Sequence, residues 1–201
     1  MSDAPALILA SRSPRRAELL ERLGLIFEVV PAEIDESYVD HDMPADHAER
    51  LAREKAVVVA RDRPAALVLG SDTLVVFGHY VFDKPRDQED AVRMLMRLAG
   101  RIHEVYTGVA VVYRGRVESA LERVTVRFRN FDRDFCEAYV ATGEPMDKAG
   151  SYGVQGYGSA LVEKIDGDYF AVMGLPVVRT LELFRRFGFR YAFNGLEPLE
   201  N

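Results

Sequence analysis

The residue types best suited to chemistry in this chain stand together at positions 11–16, which hold two serines, a proline and three arginines. An apolar run precedes them and an amphipathic run closed by Gly24 follows, so the pattern predicts a strand, a turn and a helix. Ser13 is the expected N-cap of that helix, and Pro14 its first residue. Because the first N–H groups of a helix lack intrahelical partners, hydroxyls and guanidiniums beside them favour an anion. We therefore interpret Ser11 and its neighbours as a phosphate site and the ligand as a polyphosphate.

An aspartate interrupts the most apolar part of the sequence. Asp72 lies between the strand-like runs 67–69 and 74–76. A buried carboxylate costs stability unless it is hydrogen-bonded or binds a cation, so Asp72 is a candidate metal ligand or general base. The alternative is a turn formed by the Gly-Ser-Asp-Thr element at 70–73, and the residues alone leave both open.

Two further charged stretches are candidates for the same site. Glu33, Asp35 and Glu36 follow a predicted strand, where they form either a solvated acidic loop or a source of metal ligands. Lys84 precedes a proline and lies either in a simple turn or against phosphate. With Asp72 these residues fit one reaction. Two carboxylates hold Mg²⁺ or a similar cation, basic side chains neutralise the phosphates, and water attacks the α-phosphorus while Asp72 accepts its proton.

Composition and missing motifs exclude several classes of function. The chain has neither a Gly-x-x-x-x-Gly-Lys-Ser/Thr loop nor a Gly-x-Gly-x-x-Gly element after its first strand, which weakens ATPase and dinucleotide-binding interpretations. A formal net charge of -6 argues against a general nucleic-acid binder. The single cysteine, Cys136, excludes a disulfide framework, and its helical context predicts a buried thiol.

The sequence also bears on location. No apolar run approaches the roughly 20 residues that span a bilayer, so we expect no membrane association. The first five residues lack the basic and apolar features of a signal peptide, and we expect a cytoplasmic protein.

The remaining pattern predicts one α/β domain over residues 1–201. Strands and helices alternate but hairpins interrupt them, which favours a mixed sheet over a purely parallel one. We expect three irregular features: a strand-like run broken at 70–73, a strand pair formed by 160–165 and 169–172, and a loosely held tail at 194–201. The expected helices cover about 45–61, 87–99, 132–143 and 174–187, and a hairpin covers 103–113 and 117–128.

Residues 147–158 contain four glycines. So many glycines in a short span indicate a backbone that is approached closely, either by a ligand or by another segment of the chain. If a nucleotide is the ligand, this segment is expected to enclose its base and sugar.

Seven spaced motifs resemble the Maf family in identity and order, and the resemblance covers the chain from about Leu7 to Phe187. The motifs are Ser11-Arg12-Ser13-Pro14-Arg15-Arg16, Glu33-Ile34-Asp35-Glu36, Arg53-Glu54-Lys55-Ala56, Gly70-Ser71-Asp72-Thr73, Lys84-Pro85, Asp147-Lys148-Ala149-Gly150-Ser151-Tyr152-Gly153-Val154-Gln155-Gly156 and Gly174-Leu175-Pro176.

The resemblance implies a nucleoside triphosphate pyrophosphatase that requires a divalent metal, Mg or Mn, and that forms a homodimer in the cytoplasm. It also implies a single elongated domain with a mixed sheet and two lobes around a central cleft, similar to inosine triphosphatases. The implied substrate is a small-molecule nucleoside triphosphate. By position the general base matches Asp72, with Lys55 and Lys84 as further catalytic residues and Glu33 as a second metal ligand. The phosphate loop matches Ser11, Ser13, Arg15 and Arg16.

Three positions resemble the branch of the family that acts on dTTP and UTP. These are Arg15 in Ser-Pro-Arg-Arg, Thr73 in the Asp-Thr pair and Gln155 in Tyr-Gly-x-Gln-Gly, where the branch acting on 7-methyl-GTP differs. A glutamine amide offers a donor and an acceptor, which suit the O4/N3 edge of thymine or uracil.

Two other functions remain open at this point. A nucleotide-binding regulator of septum formation or cell division would use the same phosphate turn but hold the metal–nucleotide complex without essential turnover. A nucleotidyltransferase would also use such a turn, but it needs an acceptor pocket that no sequence feature demands.

Overall fold

The computed structural model describes residues 4–38, 43–193 and 195–199. The strands there are β1 Leu7–Leu9, β2 Phe27–Val29, β3 Leu67–Phe77, β4 Tyr80–Phe82, β5 Ile102–Tyr113, β6 Arg116–Phe128, β7 Val162–Asp166, β8 Phe189–Tyr191 and β9 Leu196–Pro198. The α-helices are α1 Pro14–Arg22, α2 Pro44–Arg61, α3 Gln88–Leu98, α4 Arg133–Val140, α5 Tyr169–Met173 and α6 Val177–Arg186. Three short 3-10 helices follow α4, at Glu144–Asp147, Ala149–Ser151 and Gly156–Leu161.

Seven of these strands form one mixed sheet in the order β2-β1-β3-β5-β6-β7, with β4 paired to β3. Strand β1 runs parallel to both neighbours, and its Leu9 is opposite Val29 and Leu69. Strands β4 and β7 add antiparallel to β3 and β6. The predicted α/β class with a mixed sheet is therefore confirmed.

The described chain divides into two compact units. The first takes its residues from Met1–Asp72, Thr107–Glu122 and Gly174–Asn201, and the second from Thr73–Tyr106 and Arg123–Met173. In the first unit, Ile8 of β1 and Val68 of β3 are buried with Ala52 of α2 in one apolar cluster. The expectation of one elongated domain with a central cleft stays a prediction.

Two glycines let α2 lie directly on the sheet of the first unit. A Cβ at Gly70 of β3 would lie 2.3 Å from the carbonyl oxygen of Ala52, and one at Gly108 of β5 would lie 2.3 Å from that of Ala48. Both distances are far below a normal van der Waals contact, so only glycine fits at either position. The small residues on α2 and the two glycines thus fix the distance between the helix and the strand that carries Asp72.

The expected starts of two helices and the expected end of α1 are confirmed. The helices predicted from positions 87 and 132 begin there, because Asp87 and Asp132 accept N-capping hydrogen bonds at α3 and α4. After α1, the N–H of Gly24 (φ +68°) donates a hydrogen bond to the carbonyl oxygen of Glu21, and the N–H of Leu25 donates one to that of Leu20. Gly24 therefore ends the helix, as expected.

Three predicted elements are wrong. The run 67–77 is one unbroken strand, because Gly70 and Asp72 continue its extended backbone rather than forming a turn. Residues 169–173 form helix α5 instead of pairing with 160–165, and β7 pairs with β6. The tail contains β9, which pairs antiparallel with β8, although Asn194, Glu200 and Asn201 lie outside the described residues.

Cys136 lies in helix α4. Cys136 is buried, as predicted, and burial raises the pKa of its thiol to about 11. A thiol at that pKa is protonated near neutral pH and a poor nucleophile. Across the part of the chain that the structure describes, every helix is too short or too polar to cross a membrane.

Candidate active site

The turn between β1 and α1 is organised by the hydroxyl of Ser11. Its Oγ accepts a hydrogen bond from the N–H of Ser13 at 3.2 Å and one from Nη1 of Arg16 at 2.9 Å. Arg16 is buried and donates through Nε to the carbonyl of Gly174 at 2.7 Å. Ser13 is the N-cap residue of α1 and Pro14 its first residue, as predicted, but the Ser13 side chain makes no capping hydrogen bond. Ser11 and Arg16 hold the turn in shape, while Ser13 and Arg15 are only partly buried.

Charges of both signs act on the Arg16 guanidinium. Burial lowers its pKa, whereas the negative charges of Asp72 and Glu36 raise it and the neighbouring Arg15 lowers it. These opposing influences mean that Arg16 shares one electrostatic environment with two carboxylates of the same unit. An arginine in this setting stays charged and balances them.

A buried lysine joins those two carboxylates. Lys55 Nζ lies 2.7 Å from Asp72 Oδ1 and 2.8 Å from Glu36 Oε2. The side chains of Lys55 and Asp72 are 7% and 9% exposed, whereas that of Glu36 is 54% exposed. Helix α2 carries Lys55 and strand β3 carries Asp72, so the close helix–strand packing at Gly70 brings the pair together. The structure therefore brings Ser11, Arg16, Lys55 and Asp72 together in the first unit.

Ser71 anchors the strand next to Asp72. Its hydroxyl lies 2.8 Å from the carbonyl oxygen of Gly108 and 2.9 Å from that of Gly174. Gly174 thus accepts from both Ser71 and Arg16. No role was predicted for Ser71 or Gly174 from the sequence, although both stand in motifs that resemble the Maf family.

In the acidic loop, Glu33 and Glu36 have different surroundings. Glu33 is 87% exposed and lies 3.6 Å from Arg12, itself an exposed side chain. It is Glu36, three residues later, that contacts Lys55 beside Asp72. The predicted metal role of Glu33 stays a prediction. Three acids close together in the sequence do not indicate which of them contacts Lys55.

The donor set fits a loosely held hard cation. Within residues 4–38, 43–193 and 195–199, no group of three or more His, Cys, Asp and Glu side chains could hold a metal ion. Magnesium is commonly bound by one or two carboxylates, with water and substrate phosphates completing its shell. Glu36 and Asp72, which contact the same ammonium, are such a pair of carboxylates.

The other predicted site residues belong to the second unit. Thr73 follows Asp72 on β3 and is partly buried, and Lys84 is exposed between β4 and α3. Gln155 is partly buried, and its Oε1 is buried without a hydrogen-bond partner. A buried, unsatisfied acceptor is costly, so its position favours a ligand that brings a donor.

The glycine-rich segment is approached closely by its own chain. A Cβ at Gly156 would lie 2.4 Å from Oε2 of Glu144, and one at Gly158 would lie 2.6 Å from the hydroxyl of Tyr139. Of the two readings left open by the sequence, these two glycines fit the approach of another chain segment. The segment itself folds into consecutive 3-10 turns.

Comparison with known proteins identifies the family of this chain. The family model described as "Maf-like protein" matches residues 6–187. This chain belongs to the Maf family.

Its relatives within the Maf family match along nearly their whole length. A dTTP/UTP pyrophosphatase of Moorella thermoacetica is 55% identical over 184 residues, which are 90% of this chain and 95% of the relative. Proteins of the same name from Symbiobacterium thermophilum and Aquifex aeolicus are 50% and 44% identical, over 91% and 89% of this chain and 94% of each relative.

Proposed function

We propose that this Maf-family chain hydrolyses dTTP and UTP to the nucleoside monophosphate and pyrophosphate. The observation that carries the proposal is the buried contact between Lys55 and Asp72 in the same electrostatic environment as Arg16. A carboxylate in this setting is a candidate base, and the cations beside it are suited to neutralise phosphate charge. Relatives named dTTP/UTP pyrophosphatase, at 44–55% identity, supply the substrate class.

In this mechanism Asp72 takes a proton from the water that attacks the α-phosphorus, and pyrophosphate leaves. Lys55 holds the Asp72 carboxylate through Oδ1, which fixes its orientation. Ser11, Ser13, Arg15 and Arg16 bind the phosphates at the start of α1, where the helix dipole also favours negative charge. Lys84 adds a further cation for the polyphosphate.

Asp72 and a carboxylate of the acidic loop would bind the proposed metal. Glu36 is supported by its contact with Lys55, whereas Glu33 is supported by the sequence motif alone. When bound, Mg²⁺ or Mn²⁺ supplies charge neutralisation at the phosphate oxygens and lowers the pKa of water. Chelation is expected to abolish turnover.

Base selection is assigned to Gln155, with Arg15 and Thr73 as the other positions that distinguish this branch. The buried Oε1 of Gln155 has no partner of its own, and the N3–H of thymine or uracil is a donor that would satisfy it. Cytosine has no hydrogen at N3, so this contact predicts a preference for dTTP and UTP over dCTP.

Release of pyrophosphate by the purified protein tests the function. Wild type is expected to convert dTTP and UTP with Mg²⁺ or Mn²⁺, and Asp72→Asn to fold but lose at least about a thousandfold in kcat. Asp62→Asn, an exposed aspartate just after α2, is the matched control and should keep normal turnover. Tight nucleotide binding without turnover in the wild type would instead support a regulator of cell division.

The family resemblance also supports two further proposals, that the chain forms a homodimer and that it is located in the cytoplasm. Light scattering at micromolar concentration should give about twice the 22.6 kDa chain mass, and a tagged chain should fractionate with cytoplasmic markers. A monomer by light scattering would refute the dimer without bearing on turnover.

A further inference from the structure

One carboxylate in the second unit receives three hydrogen bonds. Oε1 of Glu144 accepts from the hydroxyl of Tyr139 at 2.8 Å and from the N–H of Gly158 at 2.9 Å. Oε2 accepts from the N–H of Tyr157 at 2.8 Å. Charged acceptors with several donors are among the stronger hydrogen-bonding groups in proteins, so this cluster fixes the backbone at 157–158.

The glycines around this carboxylate fit it closely. Gly156 has φ +69°, a conformation that side chains disfavour, and its missing Cβ leaves the space that Oε2 of Glu144 occupies. At Gly158 a Cβ would lie 2.6 Å from the Tyr139 hydroxyl. The segment is therefore shaped to receive Glu144 rather than merely touching it.

The same cluster reaches the other side of Gln155. The Tyr139 hydroxyl, which donates to Glu144, also accepts from the N–H of Gly153 at 3.2 Å. Burial raises the pKa of Tyr139, so its hydroxyl remains a donor at neutral pH. Gln155 thus lies between Gly153 and Tyr157, two backbone points held by one pair of side chains.

We propose that Glu144 is a positioning residue for base recognition, because it holds the backbone on either side of Gln155 and so aims the unsatisfied Oε1 of that residue. This role rests on the proposed function, since it requires Gln155 to recognise the pyrimidine base. In this role Glu144 acts through the backbone around Gln155. Its effect should therefore appear in substrate preference and KM rather than in kcat.

The test compares dTTP with dCTP in wild type, Glu144→Gln, Gln155→Ala and the double variant. A glutamine at 144 has one acceptor oxygen and turns an NH₂ group toward a backbone N–H, so at least one of the three bonds is lost. For Glu144→Gln we expect kcat/KM for dTTP to fall about tenfold because KM rises, while kcat stays within about twofold of wild type. The ratio of kcat/KM for dTTP to that for dCTP, which measures the preference, should become smaller. In the Gln155→Ala background, Glu144→Gln should narrow the preference no further.

Glu104→Gln is the matched control. Glu104 is a partly buried carboxylate of the same unit that accepts hydrogen bonds from Tyr106 and Arg123 rather than from the glycine-rich segment. This variant should keep the wild-type preference. If Glu144→Gln fails to fold, Tyr139→Phe decides, because it removes one bond to Glu144 and one from Gly153 and should narrow the preference about threefold.

The outcomes separate this role from the proposed function. Equal losses for dTTP and dCTP in Glu144→Gln, or narrowing that adds to that of Gln155→Ala, would show a merely structural role. If Gln155→Ala narrows the preference while the Glu144 and Tyr139 variants do not, the positioning role alone fails. Absence of any preference in the wild type would refute the proposed base recognition, and this role with it.

Discussion

Lys55 Nζ and Asp72 Oδ1 lie 2.7 Å apart with both side chains almost fully buried. Removing two charges from water costs several kcal/mol for each, and their attraction repays this cost only when geometry and further contacts are good. Glu36, at 2.8 Å from the same ammonium, is such a further contact, and it remains half exposed. The pair is better explained by a reaction that needs a fixed carboxylate than by stability.

Removal of the lysine alone should therefore be severe. In Lys55→Met the Asp72 carboxylate stays buried without its cation, and we expect unfolding by urea to show a loss of about 3–5 kcal/mol together with loss of turnover. Replacing both residues, as Lys55→Met with Asp72→Leu, should recover most of that stability but no activity. A double variant as unstable as the single one would contradict this account of the pair.

Gly70 should be as important for function as for folding. In Gly70→Ala the new Cβ meets the Ala52 carbonyl, so α2 must move away from β3 at an expected cost of about 1–3 kcal/mol. Because Lys55 moves with α2, kcat should also fall, by about tenfold or more. The control is Gly188→Asn, at φ +87° with open space around it, which should change stability by less than about 1 kcal/mol. Normal kcat in a folded Gly70→Ala protein would show that the helix–strand distance does not matter.

Local patterns predicted most of the fold, and long-range contacts account for what they missed. Capping aspartates and the stop at Gly24 are encoded within a few residues, so they could be predicted. Asp72 looked like a strand breaker because its partner, Lys55, lies 17 residues away on α2. Helix α5 is only five residues long, and so short a run carries too little periodicity to separate helix from strand.

The site divides in the same way. The motifs identified Asp72, Lys55 and Arg16, which the structure brings together in one unit. Among the acids of the loop at 33–36 they favoured Glu33 and gave no sign that Glu36 contacts Lys55, because that contact depends on how the loop turns toward α2. They also missed the carbonyl of Gly174, whose role depends on backbone atoms rather than on residue type.

The two glutamates of that loop can be distinguished by metal dependence. Glu36→Gln is expected to raise the Mg²⁺ concentration for half-maximal activity by about tenfold or more and to weaken Mn²⁺ binding measured by calorimetry. Glu33→Gln, at an exposed position beside Arg12, is the matched control and should change either value by less than about twofold. The reverse pattern would establish Glu33, as the sequence predicted, and exclude Glu36.

His103 should make stability depend on mildly acidic pH. Burial among Phe128 and Tyr152 lowers its pKa from about 6.5 to about 4, and its Nε2 lies 2.7 Å from the Tyr152 hydroxyl. Between these two values the unfolded chain binds a proton that the folded chain excludes, so stability falls as the pH drops below about 6.5. The full loss is about 3 kcal/mol, of which about 2 kcal/mol should appear between pH 7.5 and pH 5.0.

Urea unfolding at those two pH values measures the effect. Four carboxyl groups have a lowered pKa in the folded chain, namely Asp35, Asp90, Glu104 and Glu118. Unfolded carboxyl groups titrate near pH 4, so pH 5.0 largely avoids all four. His103→Gln keeps a polar group opposite Tyr152 but does not titrate, and it should remove most of the difference between the two values. An equal difference in wild type and variant would show that other groups cause it.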